Sequence, residues 1–197
     1  MFIVVAGGLA YTALLVAHRQ PLPVIAAIPT FALLERSGKP FTDRDLSGQV
    51  WVADFIFTSC AGTCPLMSED MRRLQSDFMD NPSVNFISFT VDPDNDTLEV
   101  LRGYSKGFDA KEGRWFFVTG EKKRLYALAQ NGFKLAVFES PSLDGPFTHS
   151  DKFALLDRHK RMRGFMDENG QLHAAFSSEL SEEMKKLREA VRQLLRE

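Results

Sequence analysis

Two cysteines are all that the 197-residue chain contains, four positions apart in Ser59-Cys60-Ala61-Gly62-Thr63-Cys64-Pro65. So sparse a supply excludes a disulfide-stapled secreted scaffold, which scatters more cysteines along its length. A bridge between such close neighbours would do little to constrain the unfolded chain. The pair therefore reads as chemistry rather than reinforcement. An excess of one charge is also missing, since 24 Lys and Arg face 26 Asp and Glu for a net charge of −2. There is no basic block and no acidic tail, which removes the electrostatic case for nucleic acid as a partner. Internal repeats and low-complexity tracts are absent too. What remains, 44% hydrophobic and 25% charged residues, is the composition of an ordinary globular protein. The length suits one domain with a full core plus a short accessory segment.

Charge is also lacking from the first segment, Met1 to Ala17. As a helix it would be about 26 Å long at roughly 1.5 Å per residue, at the short end for a membrane span. Residues 1–18 are expected to be a transmembrane anchor, with a cleaved signal segment as the alternative. No Lys or Arg precedes the apolar run, and the best small-residue cleavage pattern, Val24-Ile25-Ala26, lies beyond Arg19 and two prolines. Residues 19–27, with Pro21 and Pro23, are expected to be an extended linker, and residues 28–197 the folded domain. His18 and Arg19 follow the apolar segment, and the positive-inside tendency weakly draws that side toward the cytoplasm.

Within the domain, Phe31-Ala-Leu-Leu, a Ser37-Gly38 turn and Pro40-Phe41-Thr42 read as a small hairpin. Val50 to Phe57 is a nearly continuous apolar run, as expected of a central strand buried on both faces. The cysteine loop follows at once. Pro65 suits the first turn of a helix that continues through Met67, Met71, Leu74 and Phe78, whose spacing marks one buried face. The two methionines are core filler on that reading. Val84 to Val91 is a strand, Asp96 or Thr97 caps a helix, and Trp115 to Val118 is a third strand. A helix with Leu125 and Leu128 then ends near Asn131-Gly132. Glu139 to Thr148, with Pro141, Gly145 and Pro146, is expected to be a loop. A hairpin around Asp157-Arg-His-Lys and a final helix from Leu180 to Leu194 complete the order. The sum is an α/β domain, a mixed central sheet with helices on both faces and an N-terminal hairpin extension. Sites in such sheets gather where strands end and helices begin.

The cysteine pair lies at that kind of junction. A thiolate near a helix N-terminus is favoured by unpaired N–H groups and the macrodipole, which lower its pKa. The pair suits two uses, reversible dithiol–disulfide exchange and metal binding through two soft thiolates. A small buried apolar residue is the plain alternative for either cysteine. Of the four histidines, His18 borders the apolar segment, His159 sits on a hairpin tip among cations, and His173 has no evident partner. His149 follows a Pro/Gly-bearing stretch and opens an expected core strand, where the chain returns to the sheet.

Asp54-Phe-Ile-Phe-Thr-Ser-Cys60 with Cys64-Pro65, Val91-Asp92-Pro93-Asp94-Asn95-Asp96-Thr97, and Thr148-His149-Ser150 before Phe153-Ala-Leu-Leu-Asp157 together resemble the Sco/SenC family of thioredoxin-like copper proteins of the respiratory chain. The resemblance runs from about Ile28 to the final helix. It implies a thioredoxin-like fold and a copper site, for Cu(I) or Cu(II), formed by Cys60, Cys64 and His149. Two thiolates and an imidazole are a set suited to Cu(I) that also holds Cu(II) with a further weak ligand. A closed structural zinc site would need a fourth protein ligand. Asp92 resembles the family's Asp-Pro element beside the site and would orient a ligand from behind it, or else serve only as a turn residue before Pro93.

The resemblance further implies a copper chaperone, not a classical enzyme, that assists assembly of the copper centre of cytochrome c oxidase. The partner is then that enzyme's copper-accepting subunit or another respiratory-chain protein. The chain would be held at the membrane by its N-terminal segment, with the soluble domain facing the bacterial periplasm. A thiol–disulfide oxidoreductase using Cys60 and Cys64 as redox residues on the same partner is the alternative. A sensor without transfer activity is also compatible with the sequence. A peroxidase is disfavoured, since Phe57 rather than Thr stands three residues before Cys60.

Overall fold

Every residue of the strand Val50–Ile56 is buried, and the tertiary arrangement explains why a nearly continuous apolar run was needed there. The computed structural model describes residues 20–142 and 145–197, the stretch 138–149 by its backbone path only. The elements are β1 (Val24–Ala27), β2 (Ala32–Glu35), β3 (Pro40–Thr42), β4 (Val50–Ile56), α1 (Thr63–Asp77), β5 (Val84–Thr90), α2 (Leu98–Gly107), β6 (Trp115–Thr119) and α3 (Lys122–Ala127). They continue with β7 (Val137–Ser142), β8 (Gly145–His149), β9 (Lys152–Leu156), β10 (Arg161–Arg163), β11 (Phe165–Met166), β12 (Leu172–His173), β13 (Phe176–Ser177) and α4 (Ser181–Leu194).

The main sheet runs β1-β10-β9-β4-β5-β6-β2-β3, with β13 also paired to β9. β4, β5 and β6 are parallel, while β9 joins β4 and β2 joins β6 antiparallel. The sheet is thus mixed, as the element order predicted. Side chains alternate across each strand, and the alternation sorts the core into two layers. On one face Trp51 meets Phe116, and Phe55 stacks on Phe89 with ring centroids 5.0 Å apart and meets Phe133 edge-on at 5.3 Å. Phe133 follows α3 and a single π-turn, Leu128–Gly132. On the other face Trp115 and Phe117 stack, and Tyr104 of α2 packs edge-on against Phe117. Tyr104 also shares a 2.8 Å hydrogen bond with Ser68 of α1, which puts both crossover helices on that side. Arg188 of α4 pairs with Asp77 of α1 at 2.7 Å, so the last helix joins the same layer.

Two expectations are corrected. Val24–Ala27, read as the end of a linker, is strand β1, paired with β10. Leu22 upstream of it is tied down as well, its carbonyl accepting from Arg163 at 2.7 and 2.9 Å. Prolines at 21 and 23 suit such an edge, because a flanking residue need not donate to the ladder. Glu139–Ser142 and Gly145–Thr148, in the stretch read as a loop, belong to the two-stranded ribbon β7–β8, whose register shifts between Glu139 and Ser142. Pro141 falls in that irregularity, where a missing N–H breaks no ladder bond. His149 therefore ends β8, opposite Val137, rather than opening β9. The expected anchor over residues 1–18 lies outside the described residues. Among the described residues no helix is long and apolar enough to cross a membrane.

Candidate functional site

The parallel strands β4 and β5 deliver their following loops to one end of the sheet, the usual place for a site in an open α/β sheet. After β4 the chain turns through Thr58 and Ser59, with the Cys60 N–H donating to the Phe57 carbonyl at 3.2 Å. Gly62 is the N-cap of α1, so Cys64 lies in the first turn and Cys60 just before it. α1 begins two residues ahead of Pro65, which fits within the first turn, where its absent N–H costs nothing. Met67 and Met71 are fully buried and belong to the core, as their spacing predicted.

Cys60 is 5% exposed and Cys64 fully buried, and neither is in a disulfide. The two thiols share a hydrogen bond. That bond, followed by burial, holds the Cys64 thiol well above the usual range, against a weaker backbone interaction at Phe57. A depressed thiol pKa was expected at a helix start. The result is the reverse because desolvation and the neighbouring sulfur outweigh the few N–H groups that face Cys64.

Three side chains to which the sequence reading gave no part in the site complete the surroundings. Asp54 projects from β4 toward α1 and α2, directly opposite Ser88 of β5 in the strand register. It is fully buried, and neither carboxylate oxygen has a hydrogen-bond partner. Burial pushes its carboxyl up to about 7, the facing Ser88 hydroxyl pulling the other way without a well-formed bond. The Ser88 oxygen accepts from the Trp115 indole N–H at 3.0 Å. Tyr104 feels Cys64, Asp54 and Cys60 electrostatically, and burial above all raises its phenol. Asp96, expected as a possible helix cap, turns inward instead, and Thr97 caps α2, its side chain accepting from the Val100 N–H. The Asp54 signal was present in the sequence as a lone acid inside an apolar strand. Tyr104 gave none, because a Tyr at helical spacing reads as core.

Asp92 reaches the same end of the sheet, 1% exposed. Its carboxylate accepts from Asn95 at 2.8 Å, and its carbonyl accepts from the N–H groups of Asn95 and Asp96. The antiparallel register of β9 on β4, with Ala154 beside Ala53 and Leu156 beside Trp51, makes β9 start at the cysteine end of β4. His149 lies three residues before Lys152, where β9 opens, so the topology returns its backbone toward that end. Its side chain is outside the described residues. Among the described residues no group of three or more His, Cys, Asp or Glu side chains is arranged to hold a metal ion. His159 is exposed on the β9–β10 turn. His173 does have partners: it contacts Asp167 at 3.0 Å and stacks on Phe165. A surface cavity lined by Arg36, Trp51, Asn85 and Phe116 lies at the opposite end of β4 and β5.

A mixed sheet carrying a buried dithiol between its central strand and first crossover helix defines a thioredoxin-like dithiol protein. The sequence profile of SCO1/SenC matches residues 20–185, and the chain belongs to that family. It is 32% identical to a SCO1 protein homolog of Bacillus subtilis over 136 residues, 68% of this chain and 70% of the relative. It is 28% identical to a putative copper-binding protein of Stutzerimonas stutzeri over 73% of this chain and 70% of the relative. Among solved structures, a SCO1/SenC family lipoprotein from Bacillus anthracis superposes with a TM-score of 0.74 at 29% identity, covering 91% and 99% of the two chains. BsSco, described with a disulfide switch and as a member of the Sco family of cytochrome c oxidase assembly proteins, gives 0.73 at 25% identity over 89% and 98%.

Proposed function

We propose that this protein binds copper as cargo and assists assembly of the copper centre of cytochrome c oxidase, with Cys60, Cys64 and His149 as ligands. The observation that carries the reading is the pair of buried, mutually hydrogen-bonded thiols at the end of the central strand. Two adjacent sulfur donors in a dry pocket suit Cu(I), and relatives described as copper-binding or as oxidase assembly proteins support that cargo and that partner. Cys60 and Cys64 supply the sulfurs, each losing its proton on binding. His149, carried on a ribbon whose end lies three residues before β9, supplies the imidazole. Asp92 steadies the turn beside them. The acceptor is the copper-receiving subunit of the oxidase. Residues 1–18 tether the domain to the membrane with the fold on the periplasmic side, a reading supported by the uncharged segment Met1–Ala17 and by a lipoprotein among the relatives.

Anaerobic titration of the reduced chain with Cu(I), and separately with Cu(II), tests the reading. One equivalent bound, a thiolate-to-copper charge-transfer band in the Cu(II) form, and loss of both in Cys60→Ser or Cys64→Ser are expected. His149→Ala is expected to weaken Cu(II) binding by at least tenfold, and an unchanged affinity would remove His149 from the ligand set.

A second reading, thiol–disulfide exchange with the same partner, is favoured by the direct contact of the two thiols and by the disulfide switch described for BsSco. It needs the two cysteines and not His149, so the His149→Ala variant separates the two.

A further inference from the structure

The motif from Val91 to Thr97 helps carry the family resemblance, yet the proposed copper set uses at most Asp92 from it. Asp96 is fully buried, and its donors come from two different strands' ends. One oxygen accepts from the Thr58 hydroxyl at 2.5 Å, and the other from the Thr90 hydroxyl at 2.5 Å. The Thr58 backbone N–H is shared between them at 3.2 and 3.3 Å. Thr90 in turn accepts from the Asp92 N–H at 2.9 Å, and the Asp96 N–H returns to the Asp92 carbonyl at 2.8 Å. Thr58 lies two residues before Cys60 and one after Phe57, whose carbonyl receives the Cys60 N–H. A single carboxylate therefore fastens the entry of the cysteine loop to the end of β5 and to the turn that follows it.

Neighbours explain why an acid stands here. A buried carboxylate is costly unless its acceptor sites are filled, and Thr58 and Thr90 fill them. An amide at the same place keeps one of the two acceptor oxygens, and its NH2 faces a hydroxyl that would have to turn from donor to acceptor and the Thr58 N–H, which can only donate.

We propose that Asp96, acting through Thr58, is a positioning residue that fixes the cysteine loop in the dithiol geometry and so sets how readily Cys60 and Cys64 close to a disulfide. The inference rests on the reading of these cysteines as the working pair, whichever of its two uses prevails. Cys60 stands outside α1, on the loop that Thr58 enters, so that loop sets its distance from Cys64. Drawing two unbonded sulfurs in to the roughly 2 Å of a disulfide shifts the loop, and Asp96, which holds Thr58, is the group that resists the movement.

Equilibration of the full chain with glutathione reads the effect. Two thiols give up two protons and two electrons, a bond forms between the sulfurs, and one glutathione disulfide is reduced to two glutathione molecules. Asp96→Asn and Thr58→Val are each expected to raise the equilibrium constant for closure by roughly tenfold, a shift of about 30 mV for a two-electron couple. The double variant is expected to do no more than either alone, since the two residues act as one contact. Thr58→Ser, which keeps the hydroxyl, and Thr90→Val, which cuts Asp96's tie to β5 but not to Thr58, are expected to match the parent. Thermal unfolding run beside them separates loop positioning from general loosening. An unchanged constant in folded Asp96→Asn and Thr58→Val overturns the proposal, as does an equal shift in Thr90→Val. A parent chain that neither exchanges with glutathione nor takes up copper removes the working-pair reading itself, and this inference with it.

Discussion

Asp54→Asn is a near-isosteric change that removes one buried ionisable group and leaves β4 otherwise intact. Both oxygens of Asp54 are buried without a hydrogen-bond partner, and burial lifts its carboxyl from the ordinary 3.8 to about 7. A carboxyl raised in the folded state binds its proton more tightly there than in the unfolded chain. Stability therefore falls as pH rises from about 4 to about 7, and is level above that. At 1.36 kcal/mol per pH unit, the interval from 3.8 to about 7 corresponds to roughly 4 kcal/mol. That figure is an upper bound, since water entering around the ionised group would reduce it.

The amide has no such dependence. The stability of the parent minus that of Asp54→Asn is expected to drop by about 2–4 kcal/mol between pH 4.5 and pH 8. Urea unfolding of both chains at four pH values in that range, reduced and metal-free, measures it, because every other titrating group cancels in the difference. A difference constant to within about 1 kcal/mol would show that Asp54 is solvated or paired, and the account of it as a dry, unpartnered carboxyl would fall.

Three further outcomes follow from the same structure. Copper uptake is expected to weaken as pH falls, by up to about tenfold per pH unit for each thiol proton displaced, because the Cys64 thiol is held protonated by its bond to Cys60 and by burial. Titration at pH 6 and pH 8 checks this, and equal affinities would argue against thiolate ligation. Arg163 is 3% exposed and binds Asp157 at 2.9 Å as well as the Leu22 carbonyl. Arg163→Ala should therefore cost about 3 kcal/mol in chemical unfolding, the usual loss when one partner of a buried pair is removed. Gly164→Ala places a Cβ 2.2 Å from the His173 carbonyl oxygen and 2.7 Å from Ile25 Cδ1. With backbone on one side the clash cannot relax cheaply, and a loss of about 2–3 kcal/mol is expected, read as a lowered Tm.

Two patterns made much of the molecule legible in the sequence. The nearly continuous apolar run at β4, followed by a cysteine loop and a proline, admits little but a central strand entering a helix. The three-to-four spacing from Met67 to Phe78 fixes which side of that helix is buried, and Met67 and Met71 lie there with no exposed surface. Periodicity reports such features because each depends on the local chain and one apolar neighbour. Glu139 to Thr148 misled for the complementary reason. Proline and glycine signal the loss of ladder bonds, but a two-stranded ribbon with a register shift has places where those bonds are not needed.

By itself, then, the sequence determined that the chain holds just two cysteines, where they stand in it, and that they follow a core strand. The tertiary structure alone decided their state. It buried Cys64 against Cys60 so that the helix start does not prevail over desolvation, put the unpaired Asp54 on the same side of the sheet, and turned Asp96 away from its helix to grip Thr58. Residues 38 positions apart meet there, and the pairing of β4 with β5, not local propensity, brings them together.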